Sequence, residues 1–242
     1  MNDISTVGYE SDELREKAQL LAEQLNFRLE KNAPGCLFVA NDKLTLKLPN
    51  FSPLFADFNP ETLKKRKEEG KKQGLIRACK PKPGLKIIDA TAGWGRDAAV
   101  LASFGADVLM IERHPVIAAL LADALQVRIK ANELPLQLSL HHGDALTFLE
   151  GLEPNHYPDV IYIDPMHPER TKSALVKKDL QVLQQMIGED LDALKLIELA
   201  ITRVKQKVVV KWPQKIKPLL PTGAFIDGKT VRFDLYPAVG LK

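Results

Sequence analysis

Leu85-Lys86-Ile87-Ile88-Asp89-Ala90-Thr91-Ala92-Gly93-Trp94-Gly95-Arg96-Asp97 is the stretch on which the fold turns. Leu85 to Asp89 form a short, largely apolar run of the kind a buried strand presents. Gly93 and Gly95 then let the backbone turn tightly and approach a ligand closely. Ala98 to Ser103 continue as a helix that stops near Gly105. A strand that passes through glycines into a helix aims backbone N–H groups at the loop between them. The segment has neither the GxGxxG run of dinucleotide sites nor the GK[ST] ending of a P-loop. By itself such a turn serves structure as readily as ligand binding.

Downstream, strand and helix patterns alternate. Strands are expected over Asp107–Glu112, Leu136–His141, Pro158–Asp164 and Lys207–Lys211, and helices over Pro115–Asn132, Leu175–Met186 and Leu191–Thr202. Ala224–Tyr236 reads as a hairpin turning at Asp227-Gly228. This predicts an α/β, Rossmann-like domain with a mostly parallel sheet covered on both faces, closed by a C-terminal β-hairpin. Upstream, Ser11–Leu25 has helical spacing, followed by short strand-like runs at Phe27–Leu29, Cys36–Ala40 and Leu44–Leu48. Pro81-Lys82-Pro83-Gly84 breaks the chain. The expected division is therefore a small α+β region over 1–80 and the main domain over 81–242.

Length, 45% hydrophobic and 27% charged residues suit one sizeable domain with an appendage. No run of about 18 apolar residues is present and the N-terminus has no signal-peptide core, so a cytoplasmic protein without a membrane partner is expected. Cys36 and Cys79 have no metal spacing and read as free thiols. The net charge of +3 is unevenly spread: ten basic residues against Glu68 and Glu69 lie between Lys64 and Lys86. A solvated helix face explains such a run, and so does phosphate contact, with Lys64, Lys65, Arg66 and Lys67 as the candidates.

Four carboxylates mark the ends of the expected strands. Asp89 precedes the glycine turn. Glu112 stands 23 positions later, where an acidic side chain can accept both ribose hydroxyls of an adenosine cofactor. Asp144, before Ala145, can hydrogen-bond an adenine amino group or cap a helix. Asp164 opens Asp164-Pro165-Met166-His167-Pro168, a rigid loop at the sheet's carboxyl edge, where open α/β sheets bind ligands. The Asp164 carboxylate and the Pro165 carbonyl are two fixed acceptors that can hold an exocyclic NH2 by its hydrogens and turn its lone pair toward a methyl donor. His141 and His142, adjacent on a strand, face opposite ways and make a poor metal pair.

With these residues in view, the chain resembles the class I S-adenosylmethionine-dependent methyltransferases, and Asp164–Pro168 looks like their amino-methylating motif. Lys172-Ser173-Ala174-Leu175-Val176-Lys177-Lys178, with Ala90–Gly93 and Val208-Val209-Val210-Lys211, is similar to the RsmJ (YhiQ) family, which methylates N2 of a guanine in 16S ribosomal RNA. The resemblance is closest over Leu85–Tyr236. It implies a seven-stranded sheet, S-adenosylmethionine as cofactor with S-adenosylhomocysteine as product, and 16S RNA or the small ribosomal subunit as partner, without a metal. It places Arg96, Asp97, Glu112, Arg113, Asp144, Ala145 and Asp164 at the cofactor. His167 stands where the family carries Phe, and can stack on a base. Lys172, Lys177 and Lys178 follow that loop and are candidates for phosphate contact. Rival readings are a methyltransferase for DNA adenine or a small molecule, a non-catalytic RNA-binding protein on the same scaffold, and an NAD-dependent oxidoreductase, against which the missing GxGxxG weighs.

Overall fold

The computed structural model describes residues 4–49, 51–130, 136–165, 191–228 and 230–240. Contacts divide them into two compact units, one of residues 4–58 with 114–130 and one of residues 59–113, 136–165 and those from 191 on.

The first unit carries a four-stranded sheet in the order β2-β1-β3-β4, from β1 (Thr6–Tyr9), β2 (Arg28–Leu29), β3 (Cys36–Val39) and β4 (Leu44–Lys47). β1 runs parallel to both its neighbours and β3–β4 is an antiparallel hairpin. Helix α1 (Arg15–Leu25) packs on β1 and buries Ala18 and Ala22, whose small side chains allow a close approach. Asn26 ends it in the left-handed conformation at φ 57°, which asparagine tolerates. The helix Pro115–Lys130 belongs to this unit too, and its Asp123 accepts a hydrogen bond from the Leu44 amide at 2.6 Å. β1 was not expected from the sequence: four residues with a glycine among them give too short a pattern.

The second unit begins with α2 (Pro60–Glu69) and α3 (Gly74–Cys79). Asn59 caps α2, accepting from the Glu61 amide at 2.9 Å, and Pro60 suits the first turn. The basic segment thus groups with the second unit, and the contacts divide after residue 58, earlier than the break at Pro81–Gly84 suggests. Next come β5 (Lys86–Asp89), α4 (Arg96–Ser103), β6 (Asp107–Glu112), β7 (Leu138–His142), α6 (Ala145–Glu150) and β8 (Val160–Ile163), the chain passing between β6 and β7 through α5, the helix Pro115–Lys130 of the first unit. The unit ends with α7 (Ala193–Ile201), β9 (Lys207–Pro213), β10 (Phe225–Asp227) and β11 (Val231–Pro237). The helix expected at Leu175–Met186 lies outside the described residues.

The seven-stranded sheet has the order β10-β11-β9-β8-β5-β6-β7. β5 to β9 are parallel, and β11 pairs antiparallel with both β9 and β10. From β5 the chain steps outward to β6 and β7, then returns to β8 on the other side of β5. That reversal makes the carboxyl ends of β5 and β8 a topological switch point, where open α/β sheets form their ligand crevice. One face of the sheet buries Ile88, Ile111, Ile161, Ile163, Val208 and Val210 with Leu149 of α6 and Leu196, Ile197 and Ala200 of α7. On the other, α4 packs against β6.

Gly74 at the start of α3 has no room for a side chain: a Cβ would run into the ring of buried Phe233 on β11. Gly74→Ala is expected to cost about 1–3 kcal/mol by overpacking, although alanine is the better helix former. A urea melt with an unchanged midpoint would refute this.

Candidate active site

The site forms where β5, β6 and β8 end. Gly93 and Gly95 adopt φ 52° and 68°, the left-handed region that glycine enters without a steric penalty. Three backbone bonds fix the turn: Ala90 N–H to Tyr162 O, Ala92 N–H to Ile111 O and Gly95 N–H to Ala92 O. The loop is thereby tied to the strands on both sides of β5. Glu112 is buried at the end of β6, and one of its carboxylate oxygens accepts from the Gly93 amide at 2.9 Å. A carboxylate offers about four lone-pair positions, so this bond orients Glu112 without exhausting it.

Asp89, at the end of β5, is buried and accepts from the Thr91 amide at 3.2 Å. Burial pushes its pKa well above the usual carboxylate range, with Asp97 and Asp164 adding to the shift. Asp97, in the first turn of α4, has the opposite character. Burial opposes its charge, but Lys211 and Arg66 overcome that and hold it ionised, with help from Tyr162. The Arg66 guanidinium reaches one Asp97 oxygen at 2.9 Å, while Tyr162 OH at 2.8 Å and Lys211 Nζ at 3.1 Å share the other.

Lys211 also reaches Asp164, at 2.7 Å. Register explains why. Tyr162 on β8 lies opposite Val209 on β9. Side chains two positions along a strand share a face, so Asp164 and Lys211 fall next to one another on the face that carries Tyr162. The Asp164 amide in turn donates to the Thr91 hydroxyl at 2.6 Å. Asp164 is therefore fixed at backbone and side chain, against the loop after β5 and against β9 itself.

The structure places the other sequence-derived candidates as follows. Asp144 caps α6, accepting from the Thr147 amide and hydroxyl at 3.0 and 3.3 Å, both on the same oxygen. Ala145 is buried. Arg113 pairs with Asp192 at 3.0 Å. Arg66 belongs to the Asp97 cluster, whereas Lys64 and Lys67 are exposed on α2. Pro165 is buried. Met166, His167, Pro168, Lys172, Lys177 and Lys178 lie outside the described residues, as does the side chain of Lys65. Lys211 and Tyr162 were not singled out as site residues. The sequence signal for Lys211 was a lysine closing a buried valine strand, which a folded protein rarely buries without a partner.

Among the described residues, no group of three or more His, Cys, Asp or Glu side chains could hold a metal, and no helix is long and apolar enough to cross a membrane.

A glycine turn and a buried acid at adjacent strand ends, beside a switch point and with an antiparallel C-terminal hairpin, define an S-adenosylmethionine-dependent methyltransferase. The comparisons agree. The family model described as "Putative SAM-dependent methyltransferase" matches residues 20–238. A protein named ribosomal RNA small subunit methyltransferase J from Legionella pneumophila (strain Corby) is 67% identical over 236 residues, covering 98% of this chain and 97% of its own. One of the same name from Dechloromonas aromatica (strain RCB) is 42% identical over 93% of this chain and 96% of its own. The crystal structure of a SAM-dependent methyltransferase from Neisseria gonorrhoeae superposes with a TM-score of 0.75 at 27% identity, over 98% of this chain and 97% of that one. The chain belongs to the family of ribosomal RNA small subunit methyltransferase J.

Proposed function

We propose that this enzyme transfers a methyl group from S-adenosylmethionine to the exocyclic N2 of a guanosine in 16S ribosomal RNA. The observation that carries this reading is Asp164: a carboxylate at the carboxyl end of β8, beside the switch point, anchored by Lys211 and Thr91. The 67% identical relative, named for the small ribosomal subunit, supports the substrate class.

The residues fit the cofactor. Buried Glu112, oriented by Gly93, would accept the ribose hydroxyls. Gly93, Gly95, Arg96 and Asp97 form the turn that receives it, and Arg113 flanks Glu112. Asp144, through the oxygen that does not cap α6, and Ala145 would meet the adenine. When bound, S-adenosylmethionine supplies an electrophilic methyl whose C–S bond breaks with its electron pair left on sulfur. The protein then has mainly to position the acceptor. Asp164 and the Pro165 carbonyl accept from the two N2 hydrogens, which directs the nitrogen lone pair at the methyl. As the N–C bond forms, the nitrogen becomes a strong acid. Its surplus proton leaves through the Asp164 carboxylate to water, for which no strong base is required. His167 stacks on the base.

The test is transfer of labelled methyl to small subunits that lack the modification, followed by nucleoside analysis. Label in N2-methylguanosine is expected. No label in RNA, in the presence of cofactor binding, points instead to a small-molecule substrate or a non-catalytic role.

The RNA is proposed to be held by phosphate contacts from Lys64, Lys65, Lys67, Lys172, Lys177 and Lys178, within a substrate surface to which the N-terminal region contributes. Arg66 is left out of the charge-reversal test because its guanidinium holds Asp97. Lys64→Glu with Lys67→Glu is expected to weaken RNA binding at moderate salt and to flatten its salt dependence by roughly 0.7–0.9 in the log–log slope per lost contact. An unchanged affinity and slope would remove this face of α2 from the binding surface.

A further inference from the structure

We infer that Lys211 is a positioning residue of the reaction, whose ammonium ion clamps Asp164 to Asp97 and so sets the direction in which Asp164 meets the substrate amine. The inference rests on the reading of Asp164 given above and adds a residue to it.

The geometry is specific. Lys211 Nζ lies 2.7 Å from Asp164 and 3.1 Å from Asp97, and the two carboxylates arrive from β8 and α4. An ammonium has three donors, and two are spent here. Asp97 is itself pinned by Arg66 and Tyr162, so the Lys211–Asp97 contact is an anchor and the Lys211–Asp164 contact is what it holds. Burial disfavours the lysine charge, yet Asp164 and Asp97 together raise its pKa above the ordinary lysine value. Lys211 therefore stays an ammonium ion across the neutral range and acts as a fixed charge, with no proton to exchange.

The surroundings show what the clamp prevents. Asp89 on β5, Asp97 on α4 and Asp164 after β8 converge on this face, with Tyr162 on β8 and Arg66 from α2 completing the set. Three carboxylates in a partly buried cluster cannot all ionise cheaply. Asp89 yields: its burial favours the neutral acid. Arg66 serves Asp97. Without Lys211, the ionised Asp97 would stand beside Asp164 with no opposite charge between the two carboxylates, and the protonated form of Asp164 would gain. A protonated Asp164 would present an O–H where the amine needs an acceptor. Two carboxylates sharing one lysine thus divide the labour: one fixes it and the other is directed by it.

The experiment is kcat against pH, from about 5 to 9, at saturating cofactor and substrate, for wild type, Lys211→Met and Lys211→Arg. An opposite charge at this distance typically shifts a carboxylate by about 1–3 pH units. In Lys211→Met the acid limb is expected to move up by at least about one unit, with part of the lost rate returning toward pH 9. Lys211→Arg keeps the charge in a different shape and is expected to lower kcat while leaving the acid limb in place. A Lys211→Met rate reduced by the same factor at every pH would overturn the inference and leave Lys211 a structural ion pair. If Lys211→Met fails to fold, Lys211→Arg still decides, because an acid limb that moves while the charge is retained is incompatible with the clamp. Asp164→Ala separates the two layers. Wild-type transfer by that variant removes the reading of Asp164 and the Lys211 inference with it. An inactive Asp164→Ala beside an unmoved Lys211→Met limb removes the Lys211 inference alone.

Discussion

Asp164→Ala is expected to lower kcat for methyl transfer by about 10²–10³-fold, a loss comparable to deleting one preorganised hydrogen-bonding group from an active site. Each tenfold corresponds to about 1.36 kcal/mol of barrier, so the loss expected is about 2.7–4 kcal/mol. The reason is positional. The cofactor brings its own activation, and the barrier the protein lowers is that of aligning a weakly nucleophilic, conjugated amine with the methyl. Asp164 is fixed for this at two points, its amide on Thr91 and its carboxylate on Lys211. Truncation removes the acceptor and leaves the Lys211 ammonium leaning on Asp97 alone among these two carboxylates. Asp164→Asn should fall between wild type and alanine: its carbonyl can still accept, but the amide cannot balance Lys211. Single-turnover transfer of labelled methyl measures the effect without interference from product release. A rate within a factor of a few of wild type would show that the amine is held elsewhere.

Much of this architecture was legible in the sequence, and the reasons differ by element. β6 was read at its actual bounds, Asp107–Glu112, because an uninterrupted apolar run with an acidic residue at each end leaves little room for another register. β5, β8 and β9 were found for the same reason, each shifted by a residue or two. The hairpin turn at Asp227-Gly228 was marked by its dipeptide. β1 was missed and α6 was marked only by its cap, Asp144: each is too short for a period to develop. The grouping of α2 and α3 with the methyltransferase sheet was also hidden, since prolines mark where a chain bends and not which body a segment joins. Glu112 and Asp164 stood out as candidates by their place at strand ends. Lys211 and Arg66 could not be assigned, because their partners are separated from them by 47 and 31 positions, and long-range pairs leave no local trace.

Glu112→Ala is expected to weaken the binding of S-adenosylmethionine and of S-adenosylhomocysteine alike, by about 10- to 150-fold if one charge-assisted hydrogen bond worth roughly 1.5–3 kcal/mol is lost. Equal weakening is the informative part. The two molecules differ at the sulfur and share the ribose, so a side chain that reads the ribose cannot distinguish them. The substitution has a second effect. Glu112 is buried and accepts the Gly93 amide at 2.9 Å, so alanine deprives an N–H in the glycine turn of its acceptor. An unsatisfied buried donor costs about 1–3 kcal/mol, and the turn that cradles the cofactor should loosen. Glu112→Gln separates the two contributions. Its carbonyl can keep the Gly93 bond while its NH2 faces the ribose, where hydroxyl oxygens can accept in place of donating. The glutamine variant should therefore hold the stability of the wild type and lose less affinity than alanine. Titration calorimetry with both ligands, beside thermal melts of the free protein, gives all of these values. Affinity for both ligands unchanged in Glu112→Ala would place the ribose away from the end of β6 and require the cofactor to be redrawn in the crevice.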